Sequence, residues 1–264
     1  MPHITVKDLR FKYGEETVLD GLNLDIQRGK FYSILGPNGC GKTTLLKNML
    51  KILEPNKNSI FIEGNDIYNL STKKMSRLVA SVPQDTSVDF DFSVLDIVLM
   101  GRTPYLKSFE LESEKDLQIA KEAMEMTDTL RLKDKSIKNL SGGERQRVIV
   151  ARAIVQQTNI LLLDEPISHL DINHQVGLLD TVAFLCKERE ITVSAVLHDI
   201  NMAVEYSDYI ILLNEGCVVA MGTPKEVIKK EIVQRVYKMD CCVIENPITG
   251  KPHVIPIGKG RRAI

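Results

Sequence analysis

From Phe31 the chain reads FYSILGPNGCGKTTLLKNMLKIL: a short apolar run, a loop with glycine at positions 36, 39 and 41, and a segment with helical spacing. Nothing in GPNGCGKTT could fill a hydrophobic core, so the loop is built around something it holds. It fits G-x-x-x-x-G-K-[ST] as Gly36, Gly41, Lys42 and Thr43, the pattern in which backbone N–H groups wrap a polyphosphate. In that pattern Lys42 reaches the β and γ phosphates and Thr43 ligates Mg²⁺. The start of the helix adds about half a positive charge. Gly36, Pro37, Asn38, Gly39, Cys40, Gly41, Lys42, Thr43 and Thr44 are therefore expected to hold a nucleotide.

The flanks of this strand, loop and helix indicate an α/β chain. The first thirty residues alternate as strands, and short strands are expected at SIFIEG, LVASVPQ, NILLLDE and TVSAVLHD with helical stretches between them, the pattern of a largely parallel sheet covered by helices. Residues 93–138 read as mostly helical, starting a helix at Ser113 with Asp116 and lining one face with Leu117, Ala120, Met124 and Thr127. Near the end, a hairpin turns at Asn214 to Gly216, and Thr223, Pro224 and Glu226 form a helix start with a capping box. A last extended hairpin, CVIENPITGKPHVIPI, follows.

Composition removes several classes. With 34 basic and 35 acidic residues the formal charge is −1, so no global field recruits nucleic acid or anionic lipid. Apolar runs such as ILLL and YIILL are far shorter than the roughly 18 residues of a membrane span. The start, MPHITVKDLR, lacks the features of a secretory signal, so the expected compartment is the cytoplasm. Five cysteines without a CxxC spacing suggest reduced thiols rather than disulfides or a zinc site. His169 and His174 stand five apart, a spacing that does not place both on one helix face and argues against a metal pair.

Two further stretches carry chemistry. NILLLDEP places Asp164 and Glu165 where an apolar strand ends, the edge at which ligands meet a parallel sheet. Asp164 suits the shell of Mg²⁺, and Glu165 suits a general base taking a proton from attacking water. In NLSGGERQRVIVARAIV, Ser141 and Glu144 make a capping box while Gly142 and Gly143 leave the helix start bare of side chains, which favours a second anion contact.

LSGGERQ, lying between the phosphate loop and ILLLDEP, resembles the signature of ATP-binding cassette (ABC) proteins, and the resemblance covers essentially the whole chain. It implies a phosphate-loop NTPase core, a mainly parallel sheet with helices on both faces, with an N-terminal antiparallel β subdomain and an inserted α-helical subdomain. Residues 1–264 would form one ATPase domain, with 1–92 and 139–240 as core, 93–138 as the helical part and 241–264 as a C-terminal hairpin. By similarity, Tyr13 stacks on adenine, Gln84 links γ-phosphate and Mg²⁺ to the helical part, and His198 contacts the γ-phosphate. The catalytic set would be Glu165, His198, Lys42 and Gln84, and the Mg²⁺ set Thr43, Gln84 and Asp164. Ser168, His169, Leu170 and Asp171 would cross a dimer interface, and Ser141, Gly142, Gly143 and Gln146 would close over ATP held by the other copy.

VLDIVLMGRTPYL, PISHLDINHQVGLLD and PITGKPHVIPI are similar to the importer ATPases for iron chelates, haem and vitamin B12. That likeness implies ATP and Mg²⁺ as ligands, a homodimer of cassettes on a multi-spanning permease dimer, and an extracytoplasmic binding protein. It places the chain on the cytoplasmic face of the inner membrane, without nucleic acid. An importer of another substrate, such as a metal ion, stays open; a soluble cassette ATPase or a small-molecule kinase is disfavoured. Phe90 and Phe92 fit either permease docking or the core of the helical part. Cys40 occupies a small-residue position of the loop, where backbone N–H groups are expected to favour its thiolate.

Overall fold

A computed structural model describes residues 2–86, 90–107, 110–168 and 170–258. In chain order the elements begin with β1 (Pro2–Tyr13), β2 (Glu16–Gln27), β3 (Phe31–Leu35), α1 (Lys42–Met49), β4 (Ile60–Ile62) and β5 (Asn65–Asp66). They continue with α2 (Thr72–Leu78), β6 (Val79–Val82), α3 (Val94–Leu99), α4 (Glu114–Met126), α5 (Gly142–Val155), β7 (Ile160–Asp164) and α6 (Ile172–Glu188). The last are β8 (Thr192–Val196), α7 (Ile200–Tyr206), β9 (Tyr209–Asn214), β10 (Cys217–Gly222), α8 (Pro224–Val227), α9 (Lys230–Tyr237), β11 (Cys241–Glu245) and β12 (Pro252–Pro256). The chain forms two compact units: Met1–Asn69 with Ser194–Ile264, and Leu70–Val193.

In the first unit an antiparallel sheet runs in the order β2-β1-β4-β5. The period-two alternation of apolar residues fixes its register, pairing Ile4 with Ile26, Val6 with Leu24 and Leu9 with Leu22, all of them buried. The same unit holds β3 and β9 as parallel neighbours, with Ile34 opposite Ile211, and β10 turns back along β9. All five residues of β3 are buried, as expected of a parallel strand covered on both faces. The expected helix after the loop is shorter than KTTLLKNMLKIL: it ends at Met49, because Lys51 takes a positive φ of 56° that a right-handed helix does not accept. The C-terminal hairpin pairs Val243 with Val254.

The second unit sets β6 parallel to β7, with Ser81 opposite Leu162. Between them in sequence, α3, a 3₁₀ turn at Met100–Tyr105 and α4 precede the capped start of α5. An isolated bridge, Ser93 to Ser136, ties the two ends of this stretch. Of the expected face of α4, Ala120, Met124 and Thr127 are buried while Leu117 is 43% exposed, and Asp116, Ile119 and Ala123 are buried with them. Asp116 is held by Ser113 and Arg102. Its Oδ2 accepts from the Ser113 backbone and hydroxyl, and its Oδ1 accepts from Arg102 Nε at 2.7 Å, and positions three and four residues on lie on the same face.

Arg102 also donates to the carbonyl of Val155 and lies 4.2 Å from the Tyr105 ring centre. Hydrogen bonds from Ser113, joined by that from Arg102, hold the Asp116 carboxyl down to about 2 against the opposing effect of burial. A depressed carboxyl stabilises the fold above its ordinary value of 3.8, and that contribution is lost as the pH falls through about 2. Asp116→Asn is expected to cost about 3 kcal/mol in urea unfolding at neutral pH, because it leaves the buried Arg102 guanidinium without its paired carboxylate. It should also flatten the acid dependence of stability below pH 4 that the wild type shows.

Candidate functional site

The phosphate loop leaves β3 through residues only glycine could supply. Gly36 has φ 151° and Gly41 has φ 100°. A Cβ on Gly36 would lie 2.2 Å from the Leu213 carbonyl oxygen and 2.6 Å from Cys40 Sγ, while one on Gly39 would meet nothing within 4 Å. The loop is thus closed against β9 behind and open in front. Lys42 is buried, and its ammonium donates to the carbonyls of Gly36 and Pro37 at 2.9 Å each. Gly41 caps α1 without a side-chain acceptor, so the positive end of that helix meets no side chain of its own.

In the same unit, Leu197 N donates to Ile34 O at 3.3 Å, which brings the end of β8, and with it exposed His198, beside the end of β3. Tyr13 ends β1, 48% exposed, its ring edge-on to Phe11 at 5.1 Å. The expected thiolate at Cys40 is corrected: burial pushes this thiol up, and the opposing pull of Lys42 is smaller. Sequence reasoning missed Tyr237 of α9, which is hydrogen-bonded to the Gly36 backbone and whose hydroxyl burial pushes up. No motif marks it; it is an aromatic residue on an amphipathic helix far along the chain.

In the second unit, Asp164 ends β7 buried, and Glu165 follows with φ 50°. That backbone turn lets Gln84 Nε2 donate to Glu165 Oε2 at 2.8 Å, joining residues 81 positions apart. Ser141 caps α5 with Glu144 completing the box. Hydrogen bonds from the Ser141 backbone and hydroxyl pull the Glu144 carboxyl down. A Cβ on Gly142 would meet open space, and one on Gly143 would lie 3.4 Å from Leu170 and 3.9 Å from His174 Nδ1. Asp171 caps α6, accepting from the His174 backbone and pairing with the His174 ring at 2.7 Å.

A cavity of about 490 Å³ gathers Gln84, Gly142, Arg145, Gln146, Ser168 and Leu170. Gln146 is 8% exposed, and its Nε2 is buried with no hydrogen-bond partner among the described residues. Four of the expected interface and closing residues thus share one cavity with Gln84. His169 lies outside the described residues. The expected Mg²⁺ set of Thr43, Asp164 and Gln84 offers oxygen donors only, which fits a hard cation.

The ABC transporter family model matches residues 19–168, from β2 to beyond β7. The chain belongs to this family, as an ATP-binding and ATP-hydrolysing member of the cassette type. Among known proteins it is 38% identical over 253 residues to the ferric enterobactin transport ATP-binding protein FepC of Escherichia coli (strain K12), covering 96% of this chain and 93% of that protein. Among solved structures it matches a chain of a metal-chelate type ABC transporter in an inward-facing conformation, with a TM-score of 0.85, 30% identity, and 98% and 99% of the two chains covered. A dimeric ATP-binding cassette in a post-hydrolysis state, bound to ADP and Pi, matches with a TM-score of 0.74 and 28% identity over 83% of this chain and 98% of that one. No described helix is long and apolar enough to cross a membrane.

Proposed function

We propose that the chain is the ATP-hydrolysing subunit of an importer for an iron chelate. It would work as a homodimer docked on the cytoplasmic face of the inner membrane against a multi-spanning permease dimer, supplied by an extracytoplasmic binding protein. The observation that carries the ATPase half is Glu165 at the end of β7, its carboxylate steadied by Gln84. The cargo half is supported by near full-length similarity to FepC.

In this reading, backbone N–H groups of residues 36–44 and the Lys42 ammonium bind the phosphates, and Tyr13 stacks on adenine. Thr43, Asp164 and Gln84 would hold Mg²⁺, which when bound offsets the phosphate charge. Glu165 orients the attacking water and takes its proton, and His198 donates to the γ-phosphate. Ser141, Gly142, Gly143 and Gln146 close over the ATP of the partner copy, and Ser168, His169, Leu170 and Asp171 line the interface. Uptake of a labelled ferric siderophore by cells lacking the chain, complemented with wild type or Glu165→Gln, tests the cargo. Restoration by wild type alone is expected; restored uptake of cobalamin or a free metal ion instead would overturn it.

Permease docking has a specific candidate surface. Phe90 is 70% and Phe92 39% exposed, with ring centres 6.1 Å apart, whereas Val94, Ile97 and Val98 beyond them are buried. This exposure supports docking over core packing for the two phenylalanines. Phe90→Asp is expected to leave thermal unfolding and basal ATP hydrolysis unchanged while lowering uptake at least tenfold, since an interface anchor of this size is worth about 2 kcal/mol. Global unfolding of the variant would show a core role.

A further inference from the structure

The stretch from α9 to β12 lies beyond the residues that the family model matches, yet it meets the nucleotide-binding residues at two places. It belongs to the first unit, with the phosphate loop and His198. Tyr237, the last residue of α9, is hydrogen-bonded to the Gly36 backbone. Gly36 is also packed against β9, where a Cβ on it would lie 2.2 Å from the Leu213 carbonyl oxygen. The first residue of the loop is thus held by a strand and by a hydroxyl.

The second place is α7, the helix that follows His198. It has 7 residues, of which only Ala203 and Val204 are buried, and a helix that short does not hold itself in water. Its first turn is tied instead to β12. Asn201 Nδ2 donates to the Val254 carbonyl at 3.1 Å, and Val254 N donates back to Asn201 Oδ1 at 2.8 Å, so the side-chain amide pairs with β12 as a neighbouring strand would. Asp199, between His198 and this turn, accepts from the backbone of Asn201 and Met202.

At the far end of α7, the Lys251 ammonium donates to the Glu205 carbonyl, and the Thr249 hydroxyl donates to the Glu205 carboxylate at 3.2 Å. The hairpin therefore grips both ends of the helix. It is joined in turn to α9: Ile257 N donates to the Asp240 carbonyl at 2.9 Å, and Gln234 Nε2 donates to the Asp240 carboxylate at 2.5 Å.

We infer that α9 and the β11–β12 hairpin form a positioning brace for ATP hydrolysis, in which Tyr237 sets Gly36 for phosphate binding and the Asn201–Val254 pair sets His198 for the γ-phosphate. The inference rests on the roles proposed above for the loop and for His198. Its two halves act on different steps. The loop meets the phosphates in ground state and transition state alike, so loosening Gly36 weakens affinity, whereas misplacing His198 removes an interaction that grows as charge develops and so lowers turnover.

Steady-state hydrolysis, ATP binding and thermal unfolding of the full-length protein test this in Tyr237→Phe, Asn201→Leu, His198→Ala and the Asn201→Leu/His198→Ala double variant. Tyr237→Phe is expected to raise KM and Kd for ATP about fivefold, the effect of one hydrogen bond, with kcat unchanged. Asn201→Leu is expected to lower kcat roughly tenfold or more without loss of ATP affinity, and to add no further loss once His198 is alanine. A merely structural role would lower the unfolding temperature, leave kcat of the folded protein intact, and make any losses at Asn201 and His198 multiply. Lys251→Met, which spares the Asn201 pair, should lower kcat in the same sense, and it carries the test if Asn201→Leu does not fold. Unchanged ATP affinity in Tyr237→Phe, unchanged kcat in the Asn201 and Lys251 variants, or multiplying losses in the double variant would overturn the inference and leave the role of His198 standing. Full turnover by His198→Ala would instead overturn that role, and the brace with it.

Discussion

Glu165→Gln is expected to lower ATP hydrolysis by about a hundredfold or more, because a positioned general base contributes roughly 10² to 10⁴ to the rate. The change keeps size and shape, so the turn at φ 50° is retained, and a side-chain oxygen remains to accept from Gln84 Nε2 as the carboxylate does at 2.8 Å. Only the capacity to take a proton is removed. ATP affinity should therefore stay within a few-fold of wild type, and a cassette dimer should accumulate in the presence of ATP. Steady-state phosphate release and nucleotide binding, measured on one preparation, separate the two effects. Near-normal turnover would remove Glu165 as the base.

The second large effect is expected at Gly36. An alanine there would place its methyl carbon 2.2 Å from the Leu213 carbonyl oxygen and 2.6 Å from Cys40 Sγ, at φ 151°. Leu213 belongs to β9, whose parallel pairing with β3 positions the loop itself, so relief of the clash requires moving the strand that supports the site. Gly36→Ala is expected to destabilise the chain by about 3 kcal/mol or more and to abolish detectable ATP binding. Gly39→Ala is the control: its φ of 78° still opposes an alanine, but the methyl group enters open space, and the loss should be about 1 kcal/mol. Equal behaviour of the two variants would show that loop flexibility, rather than the close approach of β9, makes glycine necessary.

These two sites show what was legible in the chain and what was not. The loop could be read because its chemistry is local: glycines, lysine and threonine stand at fixed spacing, and the flanking strand and helix announce themselves by period. Glu165 could be read because acidic residues at the end of an apolar strand are conspicuous. The wall behind the loop could not, since Leu213 contributes a backbone oxygen and Tyr237 one hydroxyl, and neither leaves a pattern in sequence. Cys40 was misread for a related reason: the N–H groups around it are evident in the motif, while the burial that overrides them depends on distant chain. Leu117 was misplaced because apolar periodicity passes over Asp116, which lies buried against Arg102. The joining of Gln84, the start of α5 and the loop after β7 in one cavity of the same copy was not legible, being a product of tertiary structure.

The central claim, that ATP hydrolysis by this chain drives transport through a membrane partner, is most directly tested by co-purification. Tagged Glu165→Gln protein would be drawn with Mg-ATP from mildly solubilised membranes of its native cells, and every accompanying chain identified. Recovery of a multi-spanning permease in stoichiometric amount is the result expected; recovery of only soluble chains or of nucleic acid would contradict it.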